Sequence, residues 1–306
     1  MIYNEEKLES FSQPRSRHEI LRARDTQLDI RKALESYFDT EAVERKYNFK
    51  PVLVPFLQGS YRNNTHVAKS SDVDVVIRVK NIWKDNREVL PPDQRAKYEA
   101  AYSSVLYPFG EFKNDILVAL SKHFGADNLQ NDQKCIKVLE HAKYGTADVI
   151  PCFTYRLYGN FQSVEQDVDF TEGICFNTNY GDLIRNFPRL HNTALSRKCD
   201  PNNRAFKETV RMFKNMRDDL IVRKVLYPNV AKSYYIENLL WNVPDDCFNG
   251  KRMDIFNQIM SFLNTITDAK LVPFLKCANG VDQLFGPNNW KEHEAKIFFD
   301  TLKRIA

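Results

Sequence analysis

The chain has 306 residues, 43% hydrophobic and 27% charged, with a formal net charge of +4; this composition excludes extensive disorder, and the length suits one large domain or two packed ones. No apolar run approaches the ~18 residues that cross a bilayer, and Met1-Ile2-Tyr3-Asn4-Glu5-Glu6-Lys7 lacks a signal-peptide core, so a cytoplasmic location is expected. The mild positive charge suits nucleotides without requiring a long nucleic acid, and six scattered cysteines predict reduced thiols, neither a disulfide framework nor a zinc site.

From Ser16 to about Phe38, apolar residues recur at helical spacing, with Ser16 and Glu19 placed as a capping box. This predicts a long amphipathic helix, expected to pack with a second lobe or span both. Pro51 to Leu57 reads as a strand running into Gly59-Ser60, and after a polar loop Asp72 to Val79 has the β-branched enrichment of a central strand. With a period of two, Asp72 and Asp74 share one face while Val73, Val75 and Ile77 fill the other. Helix in two pieces is expected between about Pro92 and Phe124, then strands at Cys135 to Leu139 and Ala147 to Phe153, the latter carrying Asp148 inside an apolar run. Beyond about Tyr180 the chain reads as helices near 181–197, 204–222, 232–242, 252–267 and 290–305. Strands early and helices late predict an α+β fold. Its expected parts are a catalytic lobe over residues 1–180, with a mixed sheet and the long N-terminal helix, and a helical lobe over 181–306 that closes a central cleft.

The chemistry concentrates between Gln58 and Asp74. A Gly59-Ser60 turn offers backbone N–H groups and a hydroxyl to phosphate oxygens, with glycine letting the backbone approach closely. Two aspartates on one strand face, joined by Asp148 from a neighbouring strand, supply hard oxygen ligands for two Mg²⁺ ions, with Mn²⁺ as a substitute. That equipment serves metal-dependent nucleotidyl transfer, with Asp72, Asp74 and Asp148 as catalytic metal ligands.

Gly-Ser, a gap, Asp-Val-Asp and a later strand aspartate together resemble the polymerase-β-type nucleotidyltransferase superfamily. Gln58-Gly59-Ser60-Tyr61, Ser71-Asp72-Val73-Asp74, Gly145 to Pro151, Asn186 to His191, Phe206 to Asn215 and Ser233 to Glu237 make the chain similar to the bacterial cGAS/DncV-like nucleotidyltransferases over nearly its whole length. Ser10 to Pro14 and Leu239 to Pro244 are similar to members of clade E. The resemblance implies synthesis of a cyclic oligonucleotide, a cyclic dinucleotide above all, from NTP substrates such as ATP and UTP, in anti-phage CBASS signalling. A product-activated effector and regulatory CBASS proteins are the implied partners, with no membrane and no obligatory long nucleic acid.

The resemblance also implies triphosphate contacts from Gln58, Gly59 and Ser60, a phosphate-contacting Lys214 and a donor-phosphate contact from Ser233. On spacing alone, Lys214 is a solvated helix charge and Ser233 an N-cap. Asn177 and Asn186 could read a base edge, Asn186 being preferred, because an amide both donates and accepts. The stretch Asn192 to Asp200 departs from the family pattern, and the zinc-binding insertion of the animal enzyme is absent. Two rival readings share the carboxylates: addition of nucleotides to an RNA or tRNA 3′ end, and a catalytically silent nucleotide-binding protein.

Overall fold

A computed structural model describes residues 2–38, 44, 46, 49–67, 72–103, 107–141, 145–165, 169–178, 181–198, 205–268, 270–286 and 289–305. In chain order the helices and strands are α1 (Glu5–Ser12), α2 (Arg17–Phe38), β1 (Leu53–Leu57), α3 (Gly59–Asn63), β2 (Val73–Asp85), α4 (Pro92–Ala101), α5 (Phe109–Phe124), β3 (Leu129–Asn131), β4 (Ile136–Val138), β5 (Ala147–Tyr158), β6 (Phe170–Asn177) and β7 (Leu183–Asn186). Helices α6 (Pro188–Lys198), α7 (Ala205–Val222), α8 (Ser233–Trp241), α9 (Arg252–Asp268) and α10 (Glu292–Ile305) complete it. Residues 68–71 of the anticipated polar loop, and Cys199, lie outside the described residues. Cys135, Cys152, Cys175, Cys247 and Cys277 are free thiols. No helix among the described residues is long and apolar enough to cross a membrane.

The chain forms two compact units that are not contiguous in sequence. One comprises Arg17–Gln58 and Asp72–Pro188; the other comprises Met1–Ser16, Gly59–Ser71 and Arg189–Ala306. The later boundary falls between Pro188 and Arg189, and two early segments join the helical unit. The long helix α2 belongs to the sheet unit: its apolar stripe, including Ile30, Leu34 and Phe38, is buried there, and Phe38 meets Phe112 of α5.

The sheet runs β1-β2-β5-β4-β3, with β6 added to β5 and β7 to β6. β2 and β5 are parallel, so the chain must cross over between them, and α4, α5, β3 and β4 occupy that crossover. Alternation divides the sheet as the sequence predicts. Val73, Val75 and Ile77 are buried on one face, and on the same face of β5 Phe153 stacks against Phe112 of α5. The opposite face carries the aspartates, beside a smaller apolar cluster of Val76, Cys135, Ile150, Cys152 and Ile174. Residues 183–186, expected as the start of a helix, are instead the edge strand β7 paired with β6; helix begins only at Pro188. Gly173 of β6 explains how closely that edge is packed, since a Cβ there would sit 2.7 Å from the Asn186 carbonyl.

In the helical unit, α7 is the central element and buries apolar side chains such as Phe206, Val210 and Phe213 together with Arg211, Lys214 and Arg217. α1 belongs here because Tyr3 and Leu8 enter this core, Tyr3 Oη donates to Asp219 at 2.7 Å, and Asn215 Nδ2 donates to the Phe11 carbonyl at 2.7 Å. Asn4 caps α1 by accepting from Lys7 N at 2.9 Å.

Candidate active site: a carboxylate cluster and a buried polar network

The sheet unit assembles the carboxylates. Asp74 on β2 is the direct register partner of Asp148 on parallel β5, so both side chains leave the same face, and Asp72 lies just before β2 begins. Gln58 N donates to the Asp74 carbonyl at 3.0 Å, which fixes the end of β1 level with Asp74. On its other side β5 pairs with β4, where Lys137 stands opposite Asp148. The Lys137 ammonium lies 3.6 Å from Asp72 Oδ2 and 3.7 Å from Asp148 Oδ1. Burial raises the pKa of Asp148, an effect that Lys137 opposes and Asp72 reinforces. The proximity of Asp148, more than that of Asp72, raises the pKa of Lys137. Burial beside Asp148 pushes the Cys135 thiol up to about 12, so it is a neutral neighbour, not a nucleophile.

These side chains fit a divalent cation in donor type: carboxylate oxygens from two adjacent strands, with Asp148 Oδ1 buried and accepting no hydrogen bond. They are not yet gathered around one. Among the described residues no three acidic, histidine or cysteine side chains converge closely enough to hold an ion, and the lysine ammonium is interposed between two of the aspartates.

The helical unit holds the Gly59-Ser60 turn. What reads in the sequence as a turn into a polar loop is a short helix, α3, entered through Gly59 at φ +66°, a conformation that favours glycine. Below it lies a network centred on Glu237 of α8, which is 3% exposed. Oε1 accepts from Lys214 Nζ at 2.6 Å and from Thr65 Oγ1 at 2.5 Å. Oε2 accepts from Asn63 Nδ2 at 3.0 Å and meets His191 Nε2 at 2.8 Å. Four donors thus match the four acceptor sites of one carboxylate. His191 must carry its proton on Nε2 to join them, which leaves Nδ1 as the buried ring nitrogen without a partner. Burial alone would raise the pKa of Glu237, but the Lys214 charge and the His191 contact hold it well below the usual carboxylate range.

The comparisons with known proteins bear on this geometry. The profile of the cGAS/DncV-like nucleotidyltransferase C-terminal helical domain matches residues 193–306. The cyclic nucleotide synthase CdnE01 of Staphylococcus haemolyticus is 36% identical, over 86% of this chain and 88% of its own. The chain belongs to the cGAS/DncV-like nucleotidyltransferases, in clade E. The cyclic dipurine nucleotide synthase of Elizabethkingia meningoseptica is 33% identical over 81% of this chain and 79% of its own. The solved structure of the Rhodothermus marinus CdnE c-UMP-AMP synthase, with Apcpp and Upnpp, superposes at a TM-score of 0.83 with 32% identity, covering 99% of this chain and 96% of that one. The protein is therefore a nucleotidyltransferase enzyme of α+β fold with a C-terminal helical domain, and cyclic oligonucleotide synthesis is its activity class.

Within this nucleotidyltransferase the structure separates the residues expected to bind nucleotide. Gly59 and Ser60 are partly exposed at the start of α3. Gln58 is partly exposed, its side-chain carbonyl buried without a partner. Lys214 is fully buried, with its ammonium bonded to Glu237 and to the Thr65 carbonyl at 3.1 Å, so that it anchors the segment that follows α3. Ser233 is the first residue of α8, not its cap, which is Lys232; its hydroxyl accepts from Arg217 Nη1 at 3.1 Å. Asn186 accepts one hydrogen bond at its side-chain carbonyl, from Phe187 N at 2.8 Å, and Asn177 Nδ2 donates to the Gly181 carbonyl at 3.2 Å. Sequence reasoning assigned no role to Lys137, Glu237, His191 or Thr65. One signal was available for Glu237: a lone acid, followed by Asn238, among Ile236, Leu239, Leu240 and Trp241.

Proposed function

We propose that this protein joins nucleoside triphosphates into a cyclic dinucleotide in a Mg²⁺-dependent reaction, and that the product acts as a second messenger to an effector in anti-phage signalling. The observation that carries the reading is the register pairing of Asp74 with Asp148, with Asp72 two residues upstream on the same side, in a chain 36% identical to a cyclic nucleotide synthase over 86% of its residues. Asp72, Asp74 and Asp148 would hold the cations. Bound there, two Mg²⁺ ions would activate the attacking hydroxyl and neutralise charge on the transferring phosphorus.

The protein's own contribution is positioning. The parallel pairing of β2 and β5 fixes the spacing of Asp74 and Asp148, and the valines on the opposite face lock both strands into the core. α3 presents the Ser60 hydroxyl and adjacent N–H groups for phosphate, with its end held by the contacts of Asn63 and Thr65 to Glu237. The named products of the relatives differ in their bases, dipurine in one and UMP-AMP in another. ATP with UTP is our reading for the substrates, with Asn186 as the residue nearest in kind to a base reader.

Incubation with all four NTPs and Mg²⁺, followed by phosphatase and mass spectrometry, tests this. A phosphatase-resistant product whose mass fits two nucleoside triphosphates less two pyrophosphates is expected, and Asp72→Asn with Asp74→Asn should abolish it while the circular dichroism spectrum stays unchanged. Linear products trimmed by phosphatase would overturn the reading in favour of addition to a nucleic-acid end.

A further inference from the structure

Lys137 is placed by the sheet, not by chance rotation of a surface side chain. Its neighbours on β4, Ile136 and Val138, are 0% and 1% exposed, so the backbone is anchored, and antiparallel pairing with β5 directs Lys137 to the face that carries Asp148. From there the four-carbon stem reaches between two carboxylates contributed by different segments of chain. At 3.6 and 3.7 Å the ammonium is held by charge and not locked by short hydrogen bonds. Its side chain is 35% exposed and those of Asp72 and Asp148 are 42% and 24% exposed, so it is free to swing away.

A divalent ion ligated by the same carboxylates would sit about 2.0–2.1 Å from their oxygens if Mg²⁺, bringing two positive charges into the space beside a third. The two cations compete for the same negative charge. A nucleoside triphosphate changes the balance, because its phosphates bring enough negative charge to satisfy metal and lysine together.

We propose that Lys137 is an internal counter-cation: it satisfies Asp72 and Asp148 in the empty enzyme, weakens their affinity for divalent metal, and gives way when the metal arrives with a triphosphate. The inference rests on the reading of these aspartates as the metal site. It assigns the weak gathering of the carboxylates to an interposed charge, and makes metal loading depend on nucleotide.

The test is direct Mn²⁺ binding, followed by electron paramagnetic resonance on the purified protein without nucleotide, for the parent, Lys137→Met, Lys137→Arg and Asp148→Asn. Lys137→Met should bind Mn²⁺ about tenfold more tightly than the parent, the scale of one unit charge removed from about 4 Å in a partly solvated site. Lys137→Arg should stay near the parent, and adding a non-hydrolysable ATP analogue should shrink the difference between parent and Lys137→Met to less than about threefold. Equal or weaker binding by Lys137→Met, in a set where Asp148→Asn loses binding, would overturn the role of Lys137 and leave the metal site standing. If parent and Lys137→Met both bind no better than Asp148→Asn, the metal site itself is wrong and the proposal falls with it.

Discussion

Two ion clusters in this molecule are built to opposite specifications. Around Glu237 the partners Lys214, Thr65, Asn63 and His191 are buried, the contacts run from 2.5 to 3.0 Å, and the four acceptor sites of the carboxylate are filled by protein donors. Around Asp72 and Asp148 the side chains are partly exposed, the Lys137 ammonium stands at 3.6 to 3.7 Å, and a carboxylate oxygen accepts no hydrogen bond. Saturated, dry networks set geometry because every rearrangement strands a charge. A cluster that must exchange ligands needs the reverse: spare acceptor capacity and a weakly held occupant.

The strongest way to break this contrast is to remove the centre of the dry network. Glu237→Gln leaves the Lys214 ammonium, 0% exposed, without its counter-charge, and should destabilise the protein by ~3–5 kcal/mol in urea unfolding. Lys214→Met alone should cost nearly as much. Combining Lys214→Met with Glu237→Gln should cost less than the sum, because the unpaired buried charge disappears, yet should not restore the parent, since Thr65, Asn63 and His191 keep donors matched to a carboxylate. Additive losses would mean that the pair is not coupled, and that the network is a set of independent contacts.

The carboxylate side of the contrast was legible in the sequence because it depends on local rules. Period-two alternation put Asp72 and Asp74 on one face, and an isolated acid in the apolar stretch from Ala147 to Phe153 marked Asp148. Lys137 was not legible, since its role requires knowing that β4, a strand of three residues, pairs with β5 in one particular register. The dry network was hidden for the same reason: Thr65 and Glu237 are 172 residues apart, so only the fold brings them together. Local patterns also mislead where tertiary pairing overrides them. Leu183 to Asn186 carries no strand pattern of its own and becomes β7 because β6 offers an edge.

A second, smaller test asks whether the region beside the dry network excludes protons. His66 is 3% exposed, stacks on Tyr61 with ring centroids 4.4 Å apart, and neither ring nitrogen makes a hydrogen bond of good geometry. Burial first, and then the Arg15 charge, lower its pKa from 6.5 to about 4. In the unfolded chain the ring takes up a proton below about 6.5, whereas the folded state holds it neutral until about pH 4. Stability is therefore level above that window and falls as pH drops through it, by up to about 3 kcal/mol in total. His66→Phe cannot protonate, so urea unfolding at pH 7, 6 and 5 should show a shallower loss than in the parent. Parallel curves would place the ring in contact with water after all.

The smallest expected effect belongs to the open cluster and is the most discriminating for that reason. If Lys137 is loosely held, Lys137→Met should change metal-free stability by less than about 1 kcal/mol, the usual range of exposed ion pairs. Its sign should be negative, because Asp72 and Asp148 then face each other without the intervening cation. Thermal unfolding in chelator should show that small deficit, and excess Mn²⁺ should erase or reverse it as the ion replaces the lost charge and stabilises the state that binds it. A loss comparable to that of Glu237→Gln would instead make Lys137 a structural member of the sheet unit, and the two clusters would no longer differ in kind.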